Sequence, residues 1–556
     1  MTFLIASGSG TTSTGISRRA FVTRSSLLMA GTLVGGRRVW AFPRGTGRVI
    51  ANLVAPPFPP ELLRTAATTA IEAAIHAGAE WADIRVGEER TLSIFGHGGE
   101  LQLGCGYSLR VRVGGAEAFV TGADPTIVDI TTAAQRAVAT AKSLVPTAAG
   151  TTDTLAKVPV VKGEWRVPMA IDPFAISIDD HVAAQVSSDG EFDRHLFRFQ
   201  QLENGMAGAS CRWKQGTKVF ASSDGSLVTQ YLTTVEPHAE VRLGWPWRAH
   251  PGEPFSLFGM KSVVPCSGGF EMITHPDRYA YMQARAEELL SYTALPAVPL
   301  EIGRQDVVLD GDLHGQLIGT VIVPTLSLNR ALGNEIDVGG TSLFSPPESM
   351  RGQAVLPALL SCRAAPDAPH YGAAAWDDEG VATTPSPLIV DGVLTNYLAS
   401  RATAAFHGER NVGPLPGITQ SQLGALPTEL PPCVAVAPAN GASSIAELCK
   451  QMGNGILALS GYVSTDPSGL GGYIYPWMML EVRQGTVTRR LYGQRMMYST
   501  KRIFKTLTAL GDAGTQYTAV CREFSPGVPW VNLTHAVSAP AALYHNIDIV
   551  PSHMQS

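Results

Sequence analysis

The sequence predicts an α+β fold in two domains, built largely from antiparallel sheets with flanking helices. Three observations carry this reading. Strand-like stretches recur in pairs joined by tight turns, at Gly114-Gly115, Ser223-Asp224-Gly225, Asp391-Gly392 and Gln484-Gly485. Stretches with helical spacing are few and lie between these pairs rather than alternating with single strands. No glycine fingerprint follows a strand and no P-loop is present, so nothing signals a nucleotide-binding parallel sheet. The 57 glycines and 38 prolines fit a chain of many turns and short strands.

In chain order, residues 59–79 (PELLRTAATTAIEAAIHAGAE) are Ala-rich with apolar residues at helical spacing, and Pro60 sits where a first turn tolerates proline. Residues 81–95 read as a strand, 106–122 as a hairpin about Gly114-Gly115, and 124–144 as a second helix with Pro125 in its first turn. Residues 145–165 read as a linker or sheet edge. A further section, helical and then extended, begins at 172, and 211–244 is a strand, turn and strand. Residues 275–295 have the pattern of an amphipathic helix. The Pro-containing stretch 296–303 is the expected domain boundary, giving units of 50–298 and 299–556. Beyond it, 386–400 and 477–491 are each a strand, turn and strand, and 500–514 reads as a helix ending at Gly511.

The chain has 556 residues, 45% hydrophobic and 16% charged, which is ample for two folded cores and unlike a disordered chain. A net charge of −5 gives no electrostatic reason to expect nucleic acid as a partner. Residues 1–42 read as an export address. Arg18-Arg19 form a twin-arginine pair, a short apolar run covers Ser25 to Gly36, and Val39-Trp40-Ala41 suits cleavage. The run is shorter than the ~20 residues of a membrane span, and no membrane span is expected in the mature chain. The expected location is a periplasm or outside the cell. Seven scattered cysteines include no Cys-x-x-Cys pair, so no zinc ribbon or redox motif is implied. An oxidising compartment permits disulfides, but no pairing follows from the sequence.

Several segments, in order, carry a family likeness. They are "GAEWADIRVGEERTLSIF" and "GYSLRVRVGGAEAFVTG", then "ASSDGSLVTQ", then "HYGAAAWDDEGVATTPSPLIVDGVLTNYLASRATAAFHG", and finally "GQRMMYSTKRIFKTLTALGD" and "AVCREF". Together they resemble the TldD/PmbA metallopeptidases, also called modulators of DNA gyrase, over roughly residues 60–550. The resemblance implies a TldD/PmbA-like fold and a family role in proteolysis of peptides. It also implies pairing of subunits, as a homo- or heterodimer with a TldD/PmbA-type chain. Active members hold zinc with two histidines of a His-Glu-x-x-x-His helix and a later cysteine, with the glutamate as general base. Imidazoles and a thiolate can hold Zn²⁺ with one position open for water, and a carboxylate can take that water's proton.

This chain departs from that pattern at the centre. "LNRALG" (328–333) and "GGTSLF" (339–344) resemble the segments that follow the family's zinc helix and set the register. On that register the first histidine falls on Gly319, the glutamate on Thr320 and the second histidine on Pro324; two acidic positions fall on Ser327 and Asn329. Cys521 alone matches a family ligand. No His-Glu dipeptide occurs anywhere in the chain. Pro324 and the β-branched "TVIV" before it argue for an altered local structure, with a helix starting near here.

No cofactor is therefore expected. A substitute metal site from Asp310, Asp312, His314 and Cys521 is a weak candidate, a surface turn being the competing reading. His370 with Asp377, Asp378 and Glu379 is a candidate lining for a substrate cleft, on a segment that the resemblance also marks as shared scaffold. Cys521 as a nucleophile lacks an identifiable base; a buried structural cysteine is the alternative. Three functions remain open: a catalytically inactive homologue or non-catalytic partner subunit that still accepts an extended peptide, an active peptidase or other hydrolase with a relocated site, and a periplasmic peptide-binding or assembly protein.

Overall fold

The computed structural model describes residues 37–41, 58–95, 98–147, 155–186, 205–243, 258–261, 264–274, 287–288, 291–292, 294–336, 340–407, 427–465, 470–524 and 532–551. The twin-arginine pair and the apolar run after it lie outside these residues, as does most of the helix expected at 275–295.

The first sheet has nine strands. Its core is β2 (Trp81–Phe95) and β3 (Gly98–Val113), with β4 (Ala116–Gly122) hairpinned onto β3 through Gly114 and Gly115. Both turn glycines have positive φ, 56° and 79°, which favours residues without a Cβ. On the other side of β2 lies β6 (Gly205–Ser222), which turns at Ser223–Ser226 into β7 (Leu227–Leu243). The edge region of the sequence supplies β5 (Lys162–Arg166), parallel to β7, while β8 (Phe258–Lys261) and β9 (Cys266–Ser267) also pair with β7. Residues Arg37–Ala41, read from the sequence as the end of the export address, form an edge strand, β1, antiparallel to β3.

One face of this sheet is covered by α1 (Pro60–His76) and α2 (Ile127–Leu144). Each helix turns a stripe of mostly alanine inward, Ala66, Ala67, Ala70 and Ala74 from α1 and Ala133, Ala134, Ala137 and Ala141 from α2. Small side chains let both helices lie close to Ile84, Val86, Leu109, Val111 and Val219. A third helix, α3 (Ile178–Val186), lies further along, where Phe174, Trp213 and Phe270 form a second core. The opposite face is polar and meets the C-terminal region.

That region has two sheets. β10 (Ala297–Pro299), within the boundary stretch, pairs in parallel with β18 (Thr486–Tyr492). Five strands close into a ring in the order β11 (Gly303–Leu309), β16 (Gly455–Thr465), β17 (Gly471–Arg483), β19 (Gln494–Ser499), β23 (Ala542–Pro551) and back to β11. β18 and β20 (Leu507–Leu510) pair alongside. The second sheet has six strands in the order β14 (Val393–Leu394), β13 (Ser386–Val390), β12 (Cys362–Ala364), β15 (Cys433–Val436), β22 (Asn532–Ala539), β21 (Tyr517–Phe524). Between ring and sheet runs one buried helix, α4, starting at Gly311. Smaller helices follow: α5 (Leu328–Ala331), α6 (Arg401–His407) and α7 (Ile445–Met452). No described helix is long and apolar enough to cross a membrane.

The architecture is α+β, as the sequence predicts. Two local expectations differ. Residues 500–514 are one short helical turn, Thr500–Ile503, then a 3₁₀ turn and strand β20 rather than a single helix. Leu507 and Leu510 point into the core from a strand paired with β23, and a tertiary partner overrides the helical reading. The second concerns Pro324.

Candidate functional site

The helix that would carry zinc ligands begins earlier than the sequence suggests and does not break at Pro324. Asp310 caps α4, accepting from Leu313 N at 2.9 Å, and its other oxygen accepts from Ser460 N at 2.7 Å. The α-helical part, Gly311–Leu317, continues without interruption into a π turn, Ile318–Ile322, and a last turn, Val323–Thr325. In the π turn Val323 N donates to Ile318 O, five residues back. Its successor, Pro324, has no N–H to give to Gly319 O. The proline is thus accommodated near the helix end, where the wider turn has already left the ordinary bonding ladder. That wider turn sets residue 324 over residue 319, so the first and last positions of a five-residue spacing share a face. An α-helix would put positions four apart there.

The face they share is closed. Gly311, Gly315 and Gly319 form a stripe along α4 that lies on β21 and β22. A Cβ at Gly311 would stand 2.6 Å from Ala539 O and 2.7 Å from Thr515 O. At Gly315 it would meet Val537 O at 3.0 Å and the Cβ of Ala519 at 3.1 Å. At Gly319 it would collide with Cys521 Sγ and come within 3.2 Å of Val537 Cγ2. A side chain where the first histidine would stand would have to displace Cys521 Sγ. Thr320 turns its hydroxyl back on Gln316 O at 2.8 Å. Gln316 in turn bonds Asp312 Oδ1, Gly461 O and Val463 N, tying the helix to the ring.

Cys521 is buried at the bottom of this contact, opposite His535 in the β21–β22 register. His535 escapes a reading of the sequence, because nothing local links "TAVCREF" to "NLTHAV". The imidazole faces the Gly319 carbonyl, though neither ring nitrogen has a well-aligned partner. Burial depresses its pKa to about 4, so it is neutral at pH 7. A buried thiol beside a neutral imidazole has the elements of a nucleophile and base, but Gly319 and Val537 cover it and leave no approach.

The weak metal candidates do not assemble. His314 is fully buried, its Nδ1 donating to Pro540 O at 2.7 Å and its ring edge-on to Tyr544; burial lowers its pKa to about 4. Asp310 serves as the helix cap and Asp312 as the partner of Gln316. Among the described residues no three His, Cys, Asp or Glu side chains are grouped to hold a metal. The donor set and the closed helix-to-sheet contact do not fit zinc.

Beyond the helix, the two acidic positions that read as Ser327 and Asn329 are served from elsewhere. Glu429 accepts from Ser327 Oγ (2.8 Å), Asn329 N (2.7 Å), Thr403 Oγ1 (2.5 Å) and Ser400 N (2.8 Å). A carboxylate sits beside these positions, delivered by a distant part of the chain and fully bonded, so it holds the loop in place.

The proposed cleft residues lie at the junction between the first sheet and the C-terminal region, and the three acids are buried. Asp83 takes two bonds from Arg85, at 3.0 and 2.6 Å, and two from Arg110, at 3.3 and 2.7 Å. Arg110 also donates to Glu379 at 2.8 Å, and Glu379 accepts from Arg401 N at 2.5 Å. Arg401 reaches Asp224 at 3.0 Å. Trp81 lies between the guanidinium groups of Arg110 and Arg401, 5.1 and 5.4 Å from its ring centre, and donates to Asp224. Lys218 pairs with Asp378, whose carbonyl is bonded by Arg85. Asp377 accepts from Glu379 N and Val381 N, and burial together with the nearby Glu379 charge raises its pKa. Burial would also raise Asp83, but Arg110 and Arg85 outweigh it and hold its pKa below the usual range. His370, partly buried, turns Nδ1 to Asp367 O at 3.0 Å. The acids act as a clamp across the junction rather than as an open cleft wall: they are committed to Arg110 and Lys218 of the first sheet and to backbone amides.

Comparisons with known proteins agree with the fold. Residues 302–550 match the PmbA/TldA metallopeptidase C-terminal domain. A metalloprotease of Methanothermobacter thermautotrophicus is 26% identical over 333 residues, which is 58% of this chain and 65% of that protein, just under two thirds of its length. A crystal structure of a protein named for modulation of DNA gyrase, from Bacteroides thetaiotaomicron, superposes with a TM-score of 0.62 at 14% identity, covering 88% of this chain and 99% of the other. TldE from Thermococcus kodakarensis gives 0.61 at 12% identity, covering 87% and 100%. Fold and helix together define a metallopeptidase-like scaffold. Residues 302–550 are those of a TldD/PmbA-family C-terminal domain, and the fold over most of the chain is similar to that of solved TldD/PmbA proteins.

Proposed function

We propose that this chain is a non-catalytic member of its family: an exported pseudo-peptidase that serves as a partner subunit and presents or holds extended peptides. The observation that carries the reading is the contact at Gly319, where a ligand side chain would have to occupy the space of Cys521. Thr320 and Pro324 add no metal donor or general base. A TldD/PmbA-type chain with an intact His-Glu-x-x-x-His helix, in a homo- or heterodimer-like pair, is the proposed partner. Peptides are the proposed cargo, and nucleic acid is not one. The twin-arginine pattern at the N-terminus supports delivery to the periplasm or beyond.

The test uses the purified mature chain, alone and with such a relative. Bound zinc is measured by elemental analysis and peptide hydrolysis by mass spectrometry, with and without chelator. The expected result is less than a tenth of an equivalent of zinc and no hydrolysis by the chain alone, with altered rate or specificity when the relative is added. Stoichiometric zinc with chelator-sensitive cleavage by the isolated chain overturns the proposal. In that case loss of cleavage in Cys521→Ala would point to the surviving cysteine.

A further inference from the structure

The outer wall of the C-terminal ring carries a guanidinium that no described carboxylate pairs with. Arg495, on β19, is 6% exposed. Its Cζ stands 3.6 Å from the ring centre of Tyr473 and 5.7 Å from that of Tyr475. Nη1 donates to the Tyr475 hydroxyl at 2.8 Å, and Nε has no partner among the described residues. Among the described residues no carboxylate pairs with it. Asp548 on the adjacent β23, opposite Met497, is already engaged by Arg304 at 3.1 Å.

An arginine cannot shed its proton to escape this situation. A buried charge without a partner is strongly unfavourable, and two tyrosine faces and one neutral hydroxyl offset that only in part. The surroundings are open on one side. Tyr462 stacks on Tyr475, centres 4.5 Å apart and planes 12° apart, and is half exposed; Met497, two residues from Arg495 along the same strand, is also exposed. Their strand neighbours Val463, Ile474 and Met496 alternate into the core. The cluster therefore faces away from α4 and from the Gly319–Cys521 contact.

We propose that Arg495, Tyr473, Tyr475 and Tyr462 form a binding site for a carboxylate, carried by a small organic acid or by the C-terminus of a peptide. One fixed positive charge matches one carboxylate charge, whereas a phosphate dianion would leave charge uncompensated. The free Nε–H supplies a charge-assisted bond to a carboxylate oxygen. The Tyr462–Tyr475 stack offers an apolar face to the carbon chain behind it. The site does not depend on whether the protein cleaves peptides.

Isothermal titration of the full mature chain tests this with four probes: acetyl-trialanine, its C-terminal amide, acetate and inorganic phosphate. The free-acid peptide or acetate should bind saturably. The amide should bind at least tenfold more weakly than the acid. Arg495→Gln, which removes the charge, should lower carboxylate affinity at least tenfold. Tyr462→Ala, at a half-exposed position that leaves the fold intact, should lower it severalfold and decides the matter should Arg495→Gln fail to fold. Peptide binding well above acetate assigns the site to peptide termini; equal affinities assign it to small acids. No saturable carboxylate binding at millimolar concentration, equal binding of acid and amide, preference for phosphate, or unchanged affinity in both variants overturns the proposal.

Discussion

Two stretches of the C-terminal region resemble the same family and have opposite fates. Residues 376–380 keep every acid, and residues 319–324 keep no ionisable group. The acids persist in a place where each is bonded at the junction with the first sheet, to Arg110, Lys218 or backbone amides. The helix has glycine where it touches the sheet and lies close upon it. Charge at 377–379 serves the junction, while the face at Gly319 serves packing against the sheet. A residue's presence in a motif is thus a weaker guide to chemistry than the partners its side chain has taken.

The largest expected effect tests the junction. Glu379→Ala removes one of the two carboxylates that Arg110 bonds and the acceptor for Arg401 N, while Asp83 stays bonded to Arg110, which should cost roughly 2–4 kcal/mol. Urea unfolding measures it; a loss below about 1 kcal/mol would show that the clamp holds little.

The second test separates the two stretches by pH. On the polar junction side, burial raises Glu89 to about 8, with Lys214 and Thr91 opposing; on the other face of the same strand burial raises Glu88 to about 7. Both acids keep their protons longer in the folded chain than in the unfolded one. Stability should fall as pH rises from about 4.5 through 8, and each tenfold difference in proton affinity between the two states is worth at most about 1.4 kcal/mol. On the helix side, His314 and His535 are held near 4, so the folded chain binds fewer protons and stability should fall as pH drops from about 6.5 through 4. Glu89→Gln should flatten the alkaline limb of a stability profile by a few kcal/mol and leave the acid limb alone. Equal flattening of both limbs would merge two regions that the geometry separates.

Gly319→Ala comes third. Alanine suits a helix better than glycine by about 1 kcal/mol, so a net loss of ~1–3 kcal/mol reads the collision with Cys521 directly. Adding Cys521→Ala should restore part of that loss. A neutral or stabilising Gly319→Ala, by thermal melting, would mean the helix has room to lift.

The smallest effect is a control. Arg304 and Asp548 form an ion pair with both side chains largely in solvent, 66% and 47% exposed, and Arg304→Ala should shift stability by no more than about 0.5 kcal/mol.

Much of this fold was legible from the chain alone. Residues 81–95, 106–122 and 211–244 declare themselves because alternation and a turn residue are both local signals. Residues 500–514 misled because strand β20 exists through its pairing with β23, far along the chain. At Pro324 the expected departure from an ordinary helix is present as the π turn Ile318–Ile322, but the helix starts at Gly311 rather than near the proline, and a π turn has no sequence signature comparable to a cap or a proline kink. The glycines at 311, 315 and 319 were in plain view, four apart, and are the signal that could have revealed the close packing. His535 and Glu429 were not legible: the first meets Cys521 through strand register, the second reaches Ser327 from a hundred residues away.

The π turn carries one last consequence. The backbone still sets positions 319 and 324 one above the other, as two ligands five residues apart would need. Anyone seeking to install metal chemistry in this chain would find the scaffolding standing and the doorway bricked up. The work would begin on the sheet, at Cys521 and Val537, to make space, and only afterwards on the helix itself.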